Sequence, residues 1–121
     1  MAAKTASRER STLWLVKQFT GVLVFLLIIT HVIINHLVSQ NGLLSYDEVI
    51  QYLGNPWVAG MEITFLLTVI FHSLLGARSV LLDLNPSKRL IAILDPILVV
   101  VGIGAAIYGI WLTSIVIGRA G

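Results

Sequence analysis

The chain has 121 residues, of which 57% are hydrophobic and 12% are charged, with a formal net charge of +2. A soluble domain of this size carries about twice that charged fraction, so the composition predicts a membrane protein. The sequence contains no cysteine. This excludes disulfides, thiolate-ligated haem, iron–sulfur clusters and zinc–thiolate sites on this chain.

Three apolar segments follow in chain order, at about residues 14–38, 57–83 and 96–117. Each is longer than the roughly 20 residues that cross a ~30 Å hydrocarbon core. Each must be helical, because unpaired backbone groups are too unfavourable in lipid. We therefore predict an all-α fold, with three transmembrane helices bundled in a single domain over residues 1–121.

The distribution of basic residues predicts the orientation of these helices. The connection at residues 39–56 contains no lysine or arginine. Basic residues instead flank the first helix and lie between the second and third: Lys4, Arg8, Arg10, Lys17, Lys88 and Arg89. The positive-inside rule then places the N-terminus inside and the C-terminus outside. Basic ends facing anionic headgroups account for the net charge, so we expect a lipid bilayer and no nucleic acid as partner.

The segments between the apolar helices carry capping and stop signals. Residues 1–12 are polar and basic, and we expect them to be disordered without a partner. Ser45 and Glu48 have the spacing of a capping box, which predicts about two helical turns that end at residues 54–56. Pro96 is expected to begin the third helix.

Two features of the apolar segments are expected to be structural. Gly102, Ala106 and Gly109 are spaced four and three apart on the third helix, which predicts close packing against another helix. Trp14, Tyr52 and Trp57 lie near predicted membrane interfaces, where an aromatic ring with a polar edge serves as an anchor.

Polar residues form a stripe along the second helix. At 100° per residue they fall within about 40° of one meridian: Thr68, His72, Gly76, Ser79 and Asp83. A narrower stripe on the first helix contains Lys17, Thr20, Leu27, His31 and Asn35. In lipid such stripes must face protein or a cavity, and an ionisable group there is a functional candidate.

His72 and His31 allow two interpretations. In the first, they form interhelical hydrogen bonds, worth ~0.6 kcal/mol on average in membranes, within a non-redox assembly or anchor protein. In the second, they are axial ligands of haem b in a bundle core. Gly76, one turn from His72, favours haem because it removes side-chain bulk beside the imidazole. Zinc is disfavoured, since neither histidine has a second ligand three or four residues away.

The two histidines are predicted to lie at different depths. His31 is ~26 Å from the inner end of its helix and His72 is ~16 Å from the same side, so they differ by roughly 9 Å in height. This difference predicts two haems stacked across the membrane, each with its other ligand from a different polypeptide. His36 is the rival to His31, but it is turned by about 140° from it and lies near the outer boundary.

Several stretches together resemble a known family. Residues 72–83, HSLLGARSVLLD, resemble the second-helix signature of the small membrane-anchor subunits of succinate:quinone oxidoreductases, the succinate dehydrogenases and fumarate reductases. Residues 19–22, FTGV, resemble the opening of their first helix. Residues 45–48, SYDE, and 56–57, PW, resemble the outer loop of the hydrophobic anchor. The third helix matches only in being apolar.

The resemblance implies a complex in which a flavoprotein subunit oxidises succinate and an iron–sulfur subunit relays electrons. This chain and a second membrane-anchor subunit then share one helical bundle, bind haem b and reduce quinone. By this resemblance His72 ligates the haem nearer the iron–sulfur subunit and His31 ligates an outer haem. Arg78 is expected near the haem propionates, and Asp83 near the quinone. The complex is expected in a bacterial or archaeal cytoplasmic membrane or the mitochondrial inner membrane.

Two departures from the family pattern concern the quinone site. The dipeptide at residues 17–18 stands where related cytochrome subunits often have His-Arg, and Leu84 stands where many anchors have a quinone-binding tyrosine. Quinone contacts are therefore expected from the partner subunits, or from Trp14 and Ser11 near the inner mouth.

Two of these residues also allow an interpretation without a cofactor. Snorkelling to the headgroups is the alternative for Arg78. Pairing with a basic residue of the inner connection, Lys88 or Arg89, is the alternative for Asp83.

Overall fold

Four α-helices make up the protein, whose computed structural model describes the backbone of residues 2–39 and 41–120 and the side chains of 11–39 and 41–120. They are α1 (Ala2–Val38), α2 (Tyr46–Gly54), α3 (Pro56–Asp83) and α4 (Lys88–Ala120). No strand occurs within those residues. Helices α1, α3 and α4 each contain a span long and apolar enough to cross a membrane. The predicted all-α fold with three transmembrane helices is confirmed.

Helix α1 begins earlier than the sequence analysis predicted. Residues 2–12, which were expected to be disordered, continue α1 without a break, and Met1 lies outside the described residues. No glycine or proline interrupts residues 2–20, so nothing in that stretch stops a helix. At 1.5 Å per residue α1 is roughly 55 Å long, so its first turns extend past a ~30 Å hydrocarbon core.

The short helix α2 confirms the predicted capping signals. The Glu48 backbone N–H donates to Ser45 Oγ at 3.4 Å, and the Ser45 N–H donates to Glu48 Oε2 at 2.7 Å, which completes a capping box. Asn55 then caps α3, where its Oδ1 accepts a hydrogen bond from the Trp57 N–H at 3.0 Å. Pro56 occupies the first position of α3, where its missing N–H has no effect on the helix.

The prediction that Pro96 begins the third transmembrane helix is wrong, because Pro96 lies inside α4. The turn before α4 is formed by Asn85, which has a positive φ of 53°, and the Ser87 hydroxyl accepts the Leu90 N–H at 3.2 Å near the helix start. A proline removes one helical hydrogen bond. Helix α4 continues across that gap because, in a membrane span, leaving further backbone groups unpaired would be costly.

Helix α3 is central, because it packs against both α1 and α4, while α2 lies across α3 and α4. A Cβ added at Gly102 would overlap the Leu74 side chain, and one added at Gly109 would overlap Leu66. The predicted close-packing face of the third transmembrane helix is therefore confirmed, with α3 as its partner.

The polar stripes of α1 and α3 face each other along an antiparallel contact that we call the α1–α3 seam. It consists of three side-chain pairs at successive levels: Lys17 with Ser79, Thr20 with His72, and His31 with Glu62. The expectation that both stripes face protein is met at His72 and Ser79 on α3 and at their partners on α1, whereas Glu62 lies outside the predicted α3 stripe. The seam also defines a Lys17 end and a His31 end of the bundle.

Candidate functional site

Thr20 of α1 holds the His72 imidazole across the seam. Its hydroxyl oxygen lies 3.1 Å from the Lys17 carbonyl oxygen and 2.9 Å from His72 Nδ1. The carbonyl can only accept, so the arrangement that satisfies both contacts has Thr20 donate to Lys17 and His72 Nδ1–H donate to Thr20. In that tautomer the imidazole lone pair is on Nε2. Thr20 is 7% exposed, so water does not compete for this bond.

The glycine that touches the His72 imidazole is Gly21, on α1. A Cβ built at Gly21 would lie 3.3 Å from His72 Cε1 and 3.9 Å from Nε2, so a larger residue there would press on the ring. A Cβ built at Gly76 meets no atom of this chain within 4 Å. The space beside Gly76 is thus open within the subunit, while Gly21 sets the approach of α1 to the imidazole.

At the other level of the seam, His31 is held by a carboxylate. His31 Nδ1 lies 2.7 Å from Glu62 Oε1 and 2.8 Å from Oε2. The His31 and Phe65 ring centroids are 5.2 Å apart. The His31 side chain is 34% exposed and that of Glu62 is 16% exposed. The carboxylate accepts Nδ1–H, so Nε2 is again the nitrogen that remains without a hydrogen bond among the described residues.

Tyr52 reaches from α2 into the same group. Its hydroxyl contacts Glu62 Oε1, and Asn35 Nδ2 lies 3.1 Å from that hydroxyl and 2.6 Å from the His31 carbonyl oxygen. An amide nitrogen only donates, so Asn35 donates to Tyr52 and Tyr52 donates to Glu62. Burial, followed by the hydrogen bond to Glu62, raises the pKa of Tyr52. Tyr52 is 6% exposed, so the prediction of an interfacial anchor is wrong.

Two open clefts adjoin His31. One of about 390 Å³ brings its imidazole together with Asn35, Tyr52 and Glu62 beside apolar side chains of α2, α3 and α4. The other, of about 330 Å³, is lined by Val32, Asn35 and His36 beside His31 and by residues 42–44 of the connection that follows α1. His36 is exposed. Of these two histidines, His31 is the one that joins the α1–α3 seam.

The two seam histidines lie farther apart along the helix axis than the sequence predicted. Thr20 marks the level of His72, and His31 lies about three turns further along α1, a rise of roughly 16 Å. The expected difference was roughly 9 Å. That value was counted from the apparent ends of the apolar segments, whereas the real level of each side chain depends on its partner across the seam.

At the Lys17 end, Arg78 is paired with a residue that the sequence analysis did not consider. Arg78 Nε donates to Asp95 Oδ1 at 2.9 Å and Nη2 to Oδ2 at 3.5 Å, with both side chains about two-fifths exposed. Arg78 thus links α3 to α4 instead of extending alone to the headgroups.

The quinone-site candidates lie on the surface at the same end of the bundle. Asp83, Trp14 and Ser11 are all exposed, beyond the contact of Lys17 with Ser79. Within the described side chains, the carboxylate contacts to basic residues are Glu62 with His31 and Asp95 with Arg78. Asp83 therefore pairs with neither basic residue of the inner connection, and that alternative is wrong for the described chain.

Comparison with known proteins now assigns the chain to a family. A family model described as succinate dehydrogenase/fumarate reductase transmembrane subunit matches residues 3–110. The chain belongs to this family. It is 30% identical over 99 residues to the succinate dehydrogenase hydrophobic membrane anchor subunit of Archaeoglobus fulgidus. The aligned region covers 82% of this chain and 84% of the relative. No solved structure gives a significant match.

The protein is accordingly an integral membrane anchor subunit of an oxidoreductase complex, which confirms the family resemblance. Among the described residues of the anchor subunit, no group of three or more His, Cys, Asp or Glu side chains could hold a metal ion. Haem iron does not need such a group, because the porphyrin supplies four nitrogens and the protein supplies only axial ligands.

The polar contacts of three residues in the anchor subunit were not predicted from the sequence: Glu62, Tyr52 and Asp95. A signal for Glu62 was present, since it is the one acidic residue deep within a predicted apolar segment, where an ionisable group is a functional candidate. It lies off the meridian of the α3 stripe. Tyr52 and Asp95 lie outside the predicted segments and carried no comparable signal.

Replacing Thr20 tests the hydrogen bond that orients His72. Thr20→Val keeps the shape but leaves His72 Nδ1–H without its acceptor, so we expect stability to fall by about 1–3 kcal/mol. Thr20→Ser should retain most of the stability. The measurement is the thermal transition of the purified complex. Thr30→Val is the matched control, because the exposed Thr30 bonds only to Leu26 O in its own helix. Equal transitions for Thr20→Val and Thr30→Val would contradict the assignment.

Proposed function

We propose that this anchor subunit binds two b-type haems, one through Nε2 of His72 and one through Nε2 of His31. A second membrane-anchor subunit would supply the remaining protein ligand of each haem. The complex then passes electrons from a flavoprotein that oxidises succinate, through an iron–sulfur subunit, to a membrane quinone. The observation that carries this proposal is that each imidazole has its Nδ1 engaged by a partner across the α1–α3 seam.

The donor chemistry at both positions fits a haem ligand. Histidines that bind metals almost always donate their other ring N–H to a carboxylate, a carbonyl or another polar oxygen, which fixes the tautomer and the ring orientation. Thr20 performs this role for His72, and Glu62 performs it for His31. In both cases this role leaves Nε2 as the nitrogen proposed to bind iron.

The surroundings of His72 also fit a flat group. Gly21 lets α1 approach the imidazole, and the space beside Gly76 on the same face of α3 is open within this chain. Arg78 lies between one and two turns further along α3, where its guanidinium can share its donors between Asp95 and an anionic group. Gly76 and Arg78 are therefore proposed as haem contacts, with His72 and His31 as the ligands of iron.

When bound, haem b supplies one-electron transfer. His72 and His31 would hold the haem iron through Nε2, and their contacts with Thr20 and Glu62 fix the orientation of the two rings. The seam keeps the two imidazoles roughly 16 Å apart along the helix axis, which supports two separate groups over one shared group.

The quinone site is proposed at the Lys17 end. Asp83, Trp14 and Ser11 are exposed there, and the positive-inside rule makes this the cytoplasmic or matrix side, where the flavoprotein and iron–sulfur subunits would dock. Leu84 offers no hydroxyl to a quinone carbonyl, so the partner subunits are proposed to supply the remaining donors.

A non-redox anchor is the competing function, and a specific observation favours it as well. Each seam histidine already has an interhelical hydrogen bond, which by itself explains why an imidazole is tolerated in the membrane. The visible spectrum of the purified complex separates the two functions, since only haem binding produces a reducible b-type band.

Single histidine replacements test the ligand assignment. In His72→Ala and in His31→Ala we expect the haem-to-flavin ratio to fall by half, because each variant removes one axial ligand. His36→Ala is the matched control and should keep the full ratio, since His36 is exposed outside the seam. A loss of haem in His36→Ala combined with full haem in His31→Ala would transfer the outer ligand to His36.

Asp83→Asn tests the proposed quinone site. We expect slower quinone reduction with unchanged haem content and unchanged succinate oxidation by a soluble dye, because the flavin chemistry lies on another chain. Asp47→Asn, an exposed carboxylate of α2 at the opposite end, is the control and should reduce quinone at the unmodified rate. If the two variants reduce quinone equally fast, Asp83 has no part in the site.

A further inference from the structure

The contacts around His31 join three helices, although a single hydrogen bond would be enough to orient its ring. We propose that Glu62 and Tyr52 set the redox potential of the group ligated by His31, with opposite effects: Glu62 lowers the potential and Tyr52 limits that effect. This inference rests on the proposed function of His31 as a haem ligand. It assigns Glu62 and Tyr52 as positioning residues, which act on iron only through the imidazole.

The effect of Glu62 follows from its charge and its distance. Both carboxylate oxygens lie within 2.8 Å of His31 Nδ1, so the ring donates its proton to an acceptor that can be anionic. Such a bond makes the imidazole more electron-rich and raises its basicity as a ligand. A more electron-rich ligand stabilises the ferric state over the ferrous state. The midpoint potential at His31 therefore falls.

Tyr52 acts on the same carboxylate from the other side. Because Asn35 donates to the Tyr52 hydroxyl, the hydroxyl proton is directed to Glu62 Oε1. Part of the carboxylate's charge is then engaged by Tyr52 and is less available to His31. Tyr52 is 6% exposed as a whole residue, and its ring is held against Glu62 between the helices.

His72 provides an internal reference within the same subunit. Its Nδ1 donates to the neutral hydroxyl of Thr20, which is a weaker acceptor than a carboxylate. The two sites thus use the same ligand type with acceptors of different strength. If the partner ligands are alike, the haem at His31 therefore has a lower midpoint potential than the haem at His72.

Two variants of opposite expected sign test this inference in the purified complex. Glu62→Gln keeps the size of the side chain but replaces the carboxylate by a weaker, neutral acceptor, so the midpoint of the His31 haem should shift upward. Tyr52→Phe removes only the hydroxyl that engages Glu62, so the same midpoint should shift downward. The midpoint of the His72 haem should stay unchanged in both. Optical potentiometric titration resolves the two components.

The controls are matched by position and chemistry. Tyr46→Phe removes the other tyrosine hydroxyl of α2, which contacts Arg119 at the surface, and Thr64→Val alters an exposed α3 residue that bonds to its own helix. Neither control should shift a haem midpoint. A merely structural role of the network would make Glu62→Gln and Tyr52→Phe move the potential in the same direction, because both would loosen the ring.

Shifts of equal sign, or no shift, overturn the inference. If Glu62→Gln loses the haem, Tyr52→Phe alone decides: a downward shift supports the inference and an unchanged midpoint overturns it. Failure of the proposed function is distinguishable, because His31→Ala would then retain all haem. If His31→Ala loses one haem while the two variants leave its potential unchanged, the ligand assignment stands and only the present inference is lost.

Discussion

The α1–α3 seam determines where both imidazoles of this subunit lie. Apolar contact alone specifies little between helices in a membrane, because lipid tails are as apolar as leucine side chains. Hydrogen bonds at three successive levels therefore carry most of the information about register. A shift of one residue along α3 would turn its side chains by about 100° and break all three contacts together.

The rest of the bundle supports that seam. Gly102 and Gly109 let α4 approach α3 closely, and the Arg78–Asp95 pair joins the same two helices at the Lys17 end. At the His31 end, α2 places Tyr52 against Glu62. Helix α3 is thus held on both sides, and the two histidine levels acquire different chemical surroundings: a neutral hydroxyl at His72 and a carboxylate at His31.

The sequence was sufficient for those features that depend on local chemistry or on helical periodicity. Apolar length predicted three transmembrane helices, the spacing of Ser45 and Glu48 predicted α2, and the 100° rotation per residue predicted which faces meet. Pro96 was misjudged because a proline inside a helix removes one hydrogen bond without necessarily ending the helix. A proline in the sequence does not by itself show whether the helix ends there or continues past it.

The partners across the helices could not be predicted, for a different physical reason. Periodicity determines the face on which a residue lies but not its level relative to a neighbouring helix. The pairing of His31 with Glu62, the insertion of Tyr52 and the Arg78–Asp95 pair all depend on that axial offset. The same offset explains why the separation of the two histidines was underestimated.

The proposed function depends most directly on the presence of two haems at two levels of the seam. Potentiometric titration of the visible spectrum of the unmodified complex measures this without any substitution. We expect two b-type components with separate midpoint potentials and a total of two haems per flavin. A single component accompanied by one haem per flavin, or a complex with no reducible b-type band, would contradict it.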